Sequence, residues 1–240
     1  MKIGLLQCDH VADELAELHG DVPDLFLNLF RRAAKDLPFD VSIDIFNVMN
    51  GEYPDLSVPH GNGYDGFIGS GSRFSVYDQI DWILAFKKFV KKLFAAEKKF
   101  VGICFGHQMI AEALGGACGN SARGWGLGTR EVVIRRPMPW MKPALNAYRL
   151  IVSHADQVDT LPPNAEILGG NDHCPCSMYM AGSHFLGIQG HPEFTPAFAE
   201  DLMISRLERL GAKVIDDAVP TLKESTDEIV IAKWILNFFR

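Results

Sequence analysis

The sequence lacks a cysteine framework, an excess of basic residues and any long hydrophobic run. Its five cysteines are an odd number without scaffold-like spacing, which argues against a set of disulfides. Acidic residues outnumber basic ones by 30 to 23, so neither nucleic acid nor an anionic membrane is expected as a partner. No segment approaches the roughly 20 apolar residues of a membrane helix. The first apolar run ends at Asp9 and is too short for a signal-peptide core, so a cytoplasmic location is expected.

The composition is that of a globular protein. Hydrophobic residues make up 48% of the 240 residues and charged residues 22%. A chain of this size buries about 70% of its unfolded surface, so its core needs no metal or disulfide. Because no linker, repeat or low-complexity tract is evident, residues 1–240 are predicted to form a single domain.

Short apolar runs alternate with longer periodic segments in the first half of the chain. The predicted strands there are Lys2–Cys8, Val41–Val48, Tyr64–Gly69 and Phe100–Ile103. The predicted helices are Asp24–Asp36, Asp78–Glu97 and Phe105–Leu114, and Gly51–Gly63 is predicted to be a loop. This alternation predicts an α/β fold with a parallel sheet covered by helices on both faces.

The second half has closely spaced strands, which predict an antiparallel extension of the sheet. The predicted strands are Glu131–Arg135, Arg149–Ser153, Ala165–Gly169 and Phe185–Gln189. Two closing helices are predicted, over Pro196–Leu210 and Asp227–Phe239.

Cys104 is the candidate nucleophile. It lies between a predicted strand and a predicted helix, with Gly102 two residues before it and Gly106 two residues after it. Glycines at this spacing permit a tight strand-to-helix turn that presents the sulfur at the carboxyl edge of the sheet. The position at a helix N-terminus also favours the thiolate form.

A nucleophilic thiol needs a base, and His191 is the histidine best placed to supply one. It follows the predicted strand Phe185–Gln189 and precedes a proline, which favours extended backbone. Residues two apart in an extended chain share a side, so Glu193 can orient the imidazole. His107 is interpreted as a packing residue because it lies on the helix and points away from the sulfur.

Four segments, in order, resemble the class I glutamine amidotransferases. Gly102–Gln108 looks like the nucleophile motif of that family, and Ser70–Tyr77 resembles its SGGPxSVY loop. Ser153–Val158 resembles the SHGDxV segment, and Gly190–Glu193 resembles the HPE element. The stretch Gly124–Gly128 resembles the GWxxG segment, for which a structural role is expected.

The resemblance implies a three-layer, flavodoxin-like fold with an open, mostly parallel sheet and a small antiparallel extension. It assigns Cys104, His191 and Glu193 to a catalytic triad. The oxyanion hole is expected from the N–H of Phe105 and from the Gly71–Ser72 turn, where backbone donors suffice. By resemblance, four residues contact the substrate, namely Gln108, Ser153, His154 and Asp156. The chain departs from the family pattern at Ser72 and Arg73, where the family has glycine and proline, and at Ala155, where it has glycine.

The expected activity is cysteine-dependent cleavage of a γ-glutamyl amide through a thioester. One version hydrolyses glutamine and supplies ammonia to a separate acceptor subunit, because the residues after about 194 hold no P-loop and are too few for a synthetase domain. A second version hydrolyses γ-glutamyl peptides, since the glycine in Gly190-His191 resembles the γ-glutamyl peptidase branch. A non-catalytic binding module is the third alternative.

No metal or other cofactor is expected. His173-Cys174-Pro175-Cys176 offers three soft ligands, but no second pair with zinc-site spacing accompanies it.

Overall fold

A computed structural model describes residues 1–35, 37–56 and 63–240. Its strands are β1 (Lys2–Gln7), β2 (Ser42–Asn47), β3 (Gly66–Gly69), β4 (Phe100–Ile103), β5 (Ala117–Asn120), β6 (Gly126–Ile134), β7 (Ala147–His154), β8 (Asp156–Thr160), β9 (Ala165–Gly170), β10 (Met178–Ala181) and β11 (Phe185–Ile188). Its helices are α1 (Asp13–His19), α2 (Val22–Ala34), α3 (Asp81–Ala95), α4 (Phe105–Ala113), α5 (Pro196–Ser205), α6 (Leu207–Leu210), α7 (Ala212–Ala218) and α8 (Glu228–Phe239).

One large sheet runs through the molecule in the order β2-β1-β3-β4-β11-β10-β9-β6-β7. The first five strands are parallel, and the remaining four continue the sheet in antiparallel pairs. Strands β5 and β8 form a separate two-stranded sheet. The predicted α/β class, with a mostly parallel core and an antiparallel extension, is confirmed.

The sheet separates two apolar cores, which makes the structure three layers thick. On one face, α2 and α8 cover the sheet with Phe26, Phe30 and Trp234. On the other face, α3 and α4 cover it with residues such as Phe86 and Phe105. All residues of β3, β4 and β11 are buried, as expected for parallel strands enclosed on both sides.

Several predicted boundaries were wrong. The helix predicted from Asp78 begins at Asp81, and the helix predicted over Pro196–Leu210 is interrupted at Arg206, where the backbone leaves the helical region (φ −107°, ψ 19°). The predicted strand Glu131–Arg135 is only the end of the longer β6. Asp36, the last residue of the predicted helix Asp24–Asp36, and residues 57–62 of the predicted loop lie outside the described residues.

The topology brings the carboxyl ends of β1, β3, β4 and β11 to one edge of the sheet. Open α/β sheets bind their ligands at such an edge. Over the parts of the chain that the structure describes, no helix is long and apolar enough to cross a membrane.

Candidate active site

Cys104 occupies a strained turn between β4 and α4. Its φ of 49° and ψ of −99° are unusual for a residue with a side chain, and such strain is found mainly at functional positions. A Cβ at Gly102 would lie 2.3 Å from the backbone of Gly106, and a Cβ at Gly106 would lie 2.4 Å from the carbonyl oxygen of Gly69. Both glycines are therefore required for the close approach of β4, α4 and β3 that forms the turn.

His191 and Glu193 follow β11 and form a buried pair. The backbone N–H of His191 donates to the carbonyl of Ile151 at 2.8 Å, which fixes the chain on β7. His191 Nδ1 lies 2.7 Å from Glu193 Oε1, and both side chains are almost fully buried. The carboxylate therefore fixes the ring orientation and favours a proton on Nδ1.

The electrostatic surroundings favour a cationic His191. Burial alone would lower the pKa of His191, but the charge of Glu193 and the neighbouring Cys104 sulfur together raise it to about 10. The ring beside Cys104 is therefore cationic at neutral pH.

Phe194, which sequence reasoning did not single out, and the predicted Gly71 complete the surroundings of His191. Phe194 stacks on its ring, with the centroids 3.9 Å apart and the planes 11° apart. Gly71 faces the same ring, because a Cβ there would lie 2.8 Å from His191 Cε1 and 3.6 Å from Cys104 Cβ. The predicted Gly71–Ser72 turn thus lies beside both the sulfur and the imidazole.

The backbone donors near Cys104 are available to a ligand. Phe105 is the first residue of α4, so its N–H has no acceptor within the helix. Among the described residues, no hydrogen bond from the Gly71 or Ser72 N–H to another backbone group is formed.

Arg73 anchors the Gly71–Ser72 turn to the segment after β1. Its backbone N–H donates to Asp9 Oδ2 at 2.7 Å, and its Nε donates to Asp9 Oδ1 at 2.9 Å. The guanidinium also donates to the carbonyl oxygen of His10. The residue that replaces the family proline therefore holds the turn from within this chain.

Three of the four predicted substrate contacts form a connected polar cluster. Gln108 Nε2 donates to the carbonyl of Asp156 at 2.8 Å, and His154 Nδ1 lies 3.1 Å from the same oxygen. The Asp156 carboxylate accepts hydrogen bonds from Ser75 at 2.6 Å and Tyr77 at 3.1 Å. Burial lowers the pKa of His154 to about 3, so its ring is neutral.

Two cavities border on Cys104. The first, here called the polar cavity, has a volume of about 300 Å³ and includes the cluster around Gln108, His154 and Asp156. The second, here called the His191 cavity, has a volume of about 340 Å³ and includes His191, Glu193 and Gly71. The residues common to both walls are Ser72, Arg73, Cys104, Ser153, Arg206 and Arg209. The structure thus brings every predicted site residue except Phe105 to the wall of one or both cavities, and Phe105 directly follows Cys104.

Arg206 and Arg209 are cavity residues that sequence reasoning missed. Arg206 lies at the break between α5 and α6, and Arg209 belongs to α6, where its guanidinium carbon lies over the Trp125 ring, 5.1 Å from the centroid. Their i, i+3 spacing is the only sequence signal that relates them, and it is common on exposed helices.

The remaining candidate residues line neither cavity. His107 is fully buried against the Tyr179 ring, and burial lowers its pKa to about 3. Burial raises the pKa of Cys174 to about 11 and that of Cys176 to about 12. Over residues 1–35, 37–56 and 63–240, no cluster of three or more His, Cys, Asp or Glu side chains is arranged to hold a metal ion.

Known proteins with similar sequences include gamma-glutamyl peptidases and GMP synthases. Gamma-glutamyl peptidase 3 from Arabidopsis thaliana is 31% identical over 208 residues, which cover 82% of this chain and 82% of that protein. GMP synthase (glutamine-hydrolyzing) from Azoarcus sp. is 32% identical over 150 residues, which cover 59% of this chain and 28% of that protein.

A solved structure has the same fold. The crystal structure of a glutamine amidotransferase from Thermotoga maritima matches with a TM-score of 0.73, at 19% identity, over 100% of this chain and 96% of that one. The family model "Glutamine amidotransferase class-I" matches residues 40–207. This chain therefore belongs to the class I glutamine amidotransferase family.

Proposed function

We propose that this chain hydrolyses γ-glutamyl amides with Cys104 as the nucleophile, His191 as the acid and base, and Glu193 as the residue that orients His191. The observation that carries the proposal is the strained Cys104 turn beside an imidazole whose Nδ1 lies 2.7 Å from a buried carboxylate. This arrangement has the roles of a nucleophile, a base and an orienting group.

The reaction proceeds in two halves. The Cys104 thiolate attacks the γ-carbonyl carbon, and the oxyanion that forms accepts hydrogen bonds from the N–H groups of Phe105 and the Gly71–Ser72 turn. The C–N bond then breaks as the His191 imidazolium gives its proton to the leaving amine, which leaves a γ-glutamyl thioester. Water attacks the thioester, His191 takes a proton from that water, and the C–S bond breaks to release glutamate and restore the thiolate.

Two substrate classes fit this chemistry. Glutamine would release ammonia, which a separate acceptor subunit would use. A γ-glutamyl peptide would release an amino acid or a peptide, and the His191 cavity of about 340 Å³ favours this alternative because ammonia needs no such space.

The test is mass spectrometry of the intact chain during turnover, combined with product analysis. Incubated with glutamine or γ-glutamyl dipeptides, the wild-type chain should release glutamate and carry a γ-glutamyl adduct at Cys104. Cys104→Ser should abolish both signals, whereas the matched control Cys176→Ser should retain them, because burial raises the pKa of Cys176 to about 12 and Cys176 lines neither cavity. Absence of any adduct and any hydrolysis would refute the proposal and favour a binding module. Turnover of glutamine that rises only with an added partner would identify the acceptor-dependent version.

A further inference from the structure

The two cavities divide an amide substrate between them, if the proposed hydrolysis is correct. The scissile carbonyl must lie at Cys104, which both walls share. The glutamyl half carries an ammonium and a carboxylate, and the polar cavity offers the Asp156 carboxylate for the ammonium. The amine half must receive its proton from His191, which lines the His191 cavity. The leaving group therefore lies in the His191 cavity.

The wall of the His191 cavity is largely apolar. The apolar residues come from the segment after β1, from α1, α2 and α5, and from the residue after Glu193: Val11, Ala12, Leu15, Val22, Leu25, Phe194, Phe198 and Leu202. Such a wall gains free energy only by covering an apolar group of the ligand. Ammonia has no apolar surface, so glutamine would leave this wall unused.

The same cavity contains a partly buried cation, Arg206, in addition to two groups that are already paired. Arg73 is paired with Asp9, and Glu193 is paired with His191. Arg206 is half-buried, and within the described parts of the chain it forms no ion pair. Burial and the nearby charge of Arg209 both disfavour its protonated form and lower its pKa.

A carboxylate from the ligand would remove that electrostatic cost. Guanidinium groups bind carboxylates through two parallel hydrogen bonds, and a partly desolvated guanidinium gains the most from such a partner. The only acidic side chain on the wall outside those two pairs is Glu14, which is exposed and forms no ion pair with Arg206 in the described residues. The Asp9 carboxylate also acts on Arg206, but Asp9 is already paired with Arg73. The position thus has the charge of an anion site, and Arg206 has no ion-pair partner of its own among the described residues.

We infer that the His191 cavity binds the amino acid released from a γ-glutamyl dipeptide, with its apolar side chain against the wall and its free carboxylate on Arg206. The preferred substrate class is therefore γ-glutamyl dipeptides that end in an apolar residue such as leucine. This inference rests on the proposed function, and it narrows the substrate from γ-glutamyl amides in general to one chemical class.

The test compares kcat/KM for five γ-glutamyl compounds with the purified wild-type chain. They are γ-glutamyl-leucine, γ-glutamyl-glycine, γ-glutamyl-isopentylamide, which is the leucine compound without its carboxylate, γ-glutamyl-cysteinylglycine and glutamine. γ-Glutamyl-leucine should exceed γ-glutamyl-glycine by about 10- to 100-fold, the effect of burying a leucine side chain. It should exceed the isopentylamide by about 10- to 100-fold, the effect of a hydrogen bond between charged groups.

Two variants assign these preferences to residues. Arg206→Gln should lower the ratio of kcat/KM for γ-glutamyl-leucine over the isopentylamide to near one. The matched control is Arg31→Gln, an exposed arginine on α2 outside both cavities, which should leave that ratio unchanged. Leu202→Ser, at a half-buried position on the cavity wall, should lower the ratio for γ-glutamyl-leucine over γ-glutamyl-glycine.

The possible outcomes separate the two proposals. Hydrolysis with equal rates for the leucine compound and its isopentylamide, or with glutamine or γ-glutamyl-cysteinylglycine preferred, would overturn the inference and leave the proposed function intact. An unchanged ratio in Arg206→Gln would also overturn it. No hydrolysis of any of the five compounds, together with no adduct at Cys104, would overturn both.

Discussion

Replacing Glu193 by glutamine tests the electrostatic part of the proposed mechanism with almost no change in shape. The variant keeps an oxygen that can accept from His191 Nδ1 and removes the negative charge 2.7 Å away. A buried hydrogen bond between charged groups contributes a net of about 1.5–3 kcal/mol, and each 1.4 kcal/mol is a factor of ten in rate. We therefore expect kcat/KM to fall by about 10- to 150-fold.

The pH dependence of the same variant distinguishes an electrostatic role from a structural one. Burial opposes the charge on His191, and Glu193 is the strongest of the groups that raise its pKa. Loss of that carboxylate should lower the pKa of His191, so the alkaline limb of the pH–rate profile should move to lower pH.

The stability of the variant has a sign fixed by the same shift. The folded-state pKa of His191, about 10, lies above the roughly 6.5 of an unfolded histidine. The stabilisation linked to this proton is fully present below about pH 6.5 and is lost as the pH rises through about 10. Glu193→Gln should therefore reduce the free energy of unfolding more at pH 6 than at pH 10, which denaturant titration at both pH values measures.

A variant of an exposed carboxylate is the control for Glu193→Gln. Glu200→Gln changes an exposed carboxylate on α5 and should leave the rate, its pH profile and the stability unchanged. A Glu193→Gln variant with wild-type kcat/KM, or with a loss that is the same at every pH, would refute the assignment of Glu193 as the residue that charges His191.

Three further predictions concern the backbone around the site. Gly71→Ala should lower kcat by at least about tenfold because the added Cβ would lie 2.8 Å from His191 Cε1. Steady-state kinetics measure this loss, and an unchanged circular dichroism spectrum shows that the variant is folded. A wild-type kcat would contradict the close approach of Gly71 to His191. Asp9→Ala should release Arg73, which anchors the turn that carries the proposed oxyanion donors. We therefore expect kcat to fall by about tenfold with little change in KM, and a change confined to KM would be inconsistent with that proposed role. Gly102→Ala should lower Tm by about 5–10 °C or more, because the added Cβ would overlap the backbone of Gly106. An unchanged Tm in a thermal melt would show that the turn can move to make room for the Cβ.

The sequence predicts the centre of the site well because the information there is local. The spacing of Gly102, Cys104 and Gly106 is set by one tight turn, and Glu193 reaches His191 because residues two apart in an extended chain share a side. The parallel core of the sheet is similarly visible, since its strands are short, fully apolar and separated by helices.

The parts that were not predicted depend on tertiary contacts. β6 begins at Gly126, in a glycine-rich stretch with low strand propensity. Gly128 in this stretch packs closely on Thr221, since a Cβ at Gly128 would lie 2.2 Å from Thr221 Oγ1, and this contact between distant residues is not visible in the local sequence. No proline or glycine marks the break between α5 and α6 at Arg206, so periodicity alone predicts a continuous helix over Pro196–Leu210. The anchoring of Arg73 by Asp9 joins residues 64 apart, which no local pattern indicates.

The stacking of Phe194 on His191 determines which ring nitrogen can transfer protons in the proposed reaction. With one face of the imidazole covered by a phenyl ring 3.9 Å away and Nδ1 held by a carboxylate, the ring has no freedom to turn over. In the proposed reaction, Nε2 therefore faces the sulfur throughout, and the proton that it carries in the imidazolium is the one delivered to the departing nitrogen. The same nitrogen then takes the proton from the attacking water, so both half-reactions proceed without any rotation of the ring.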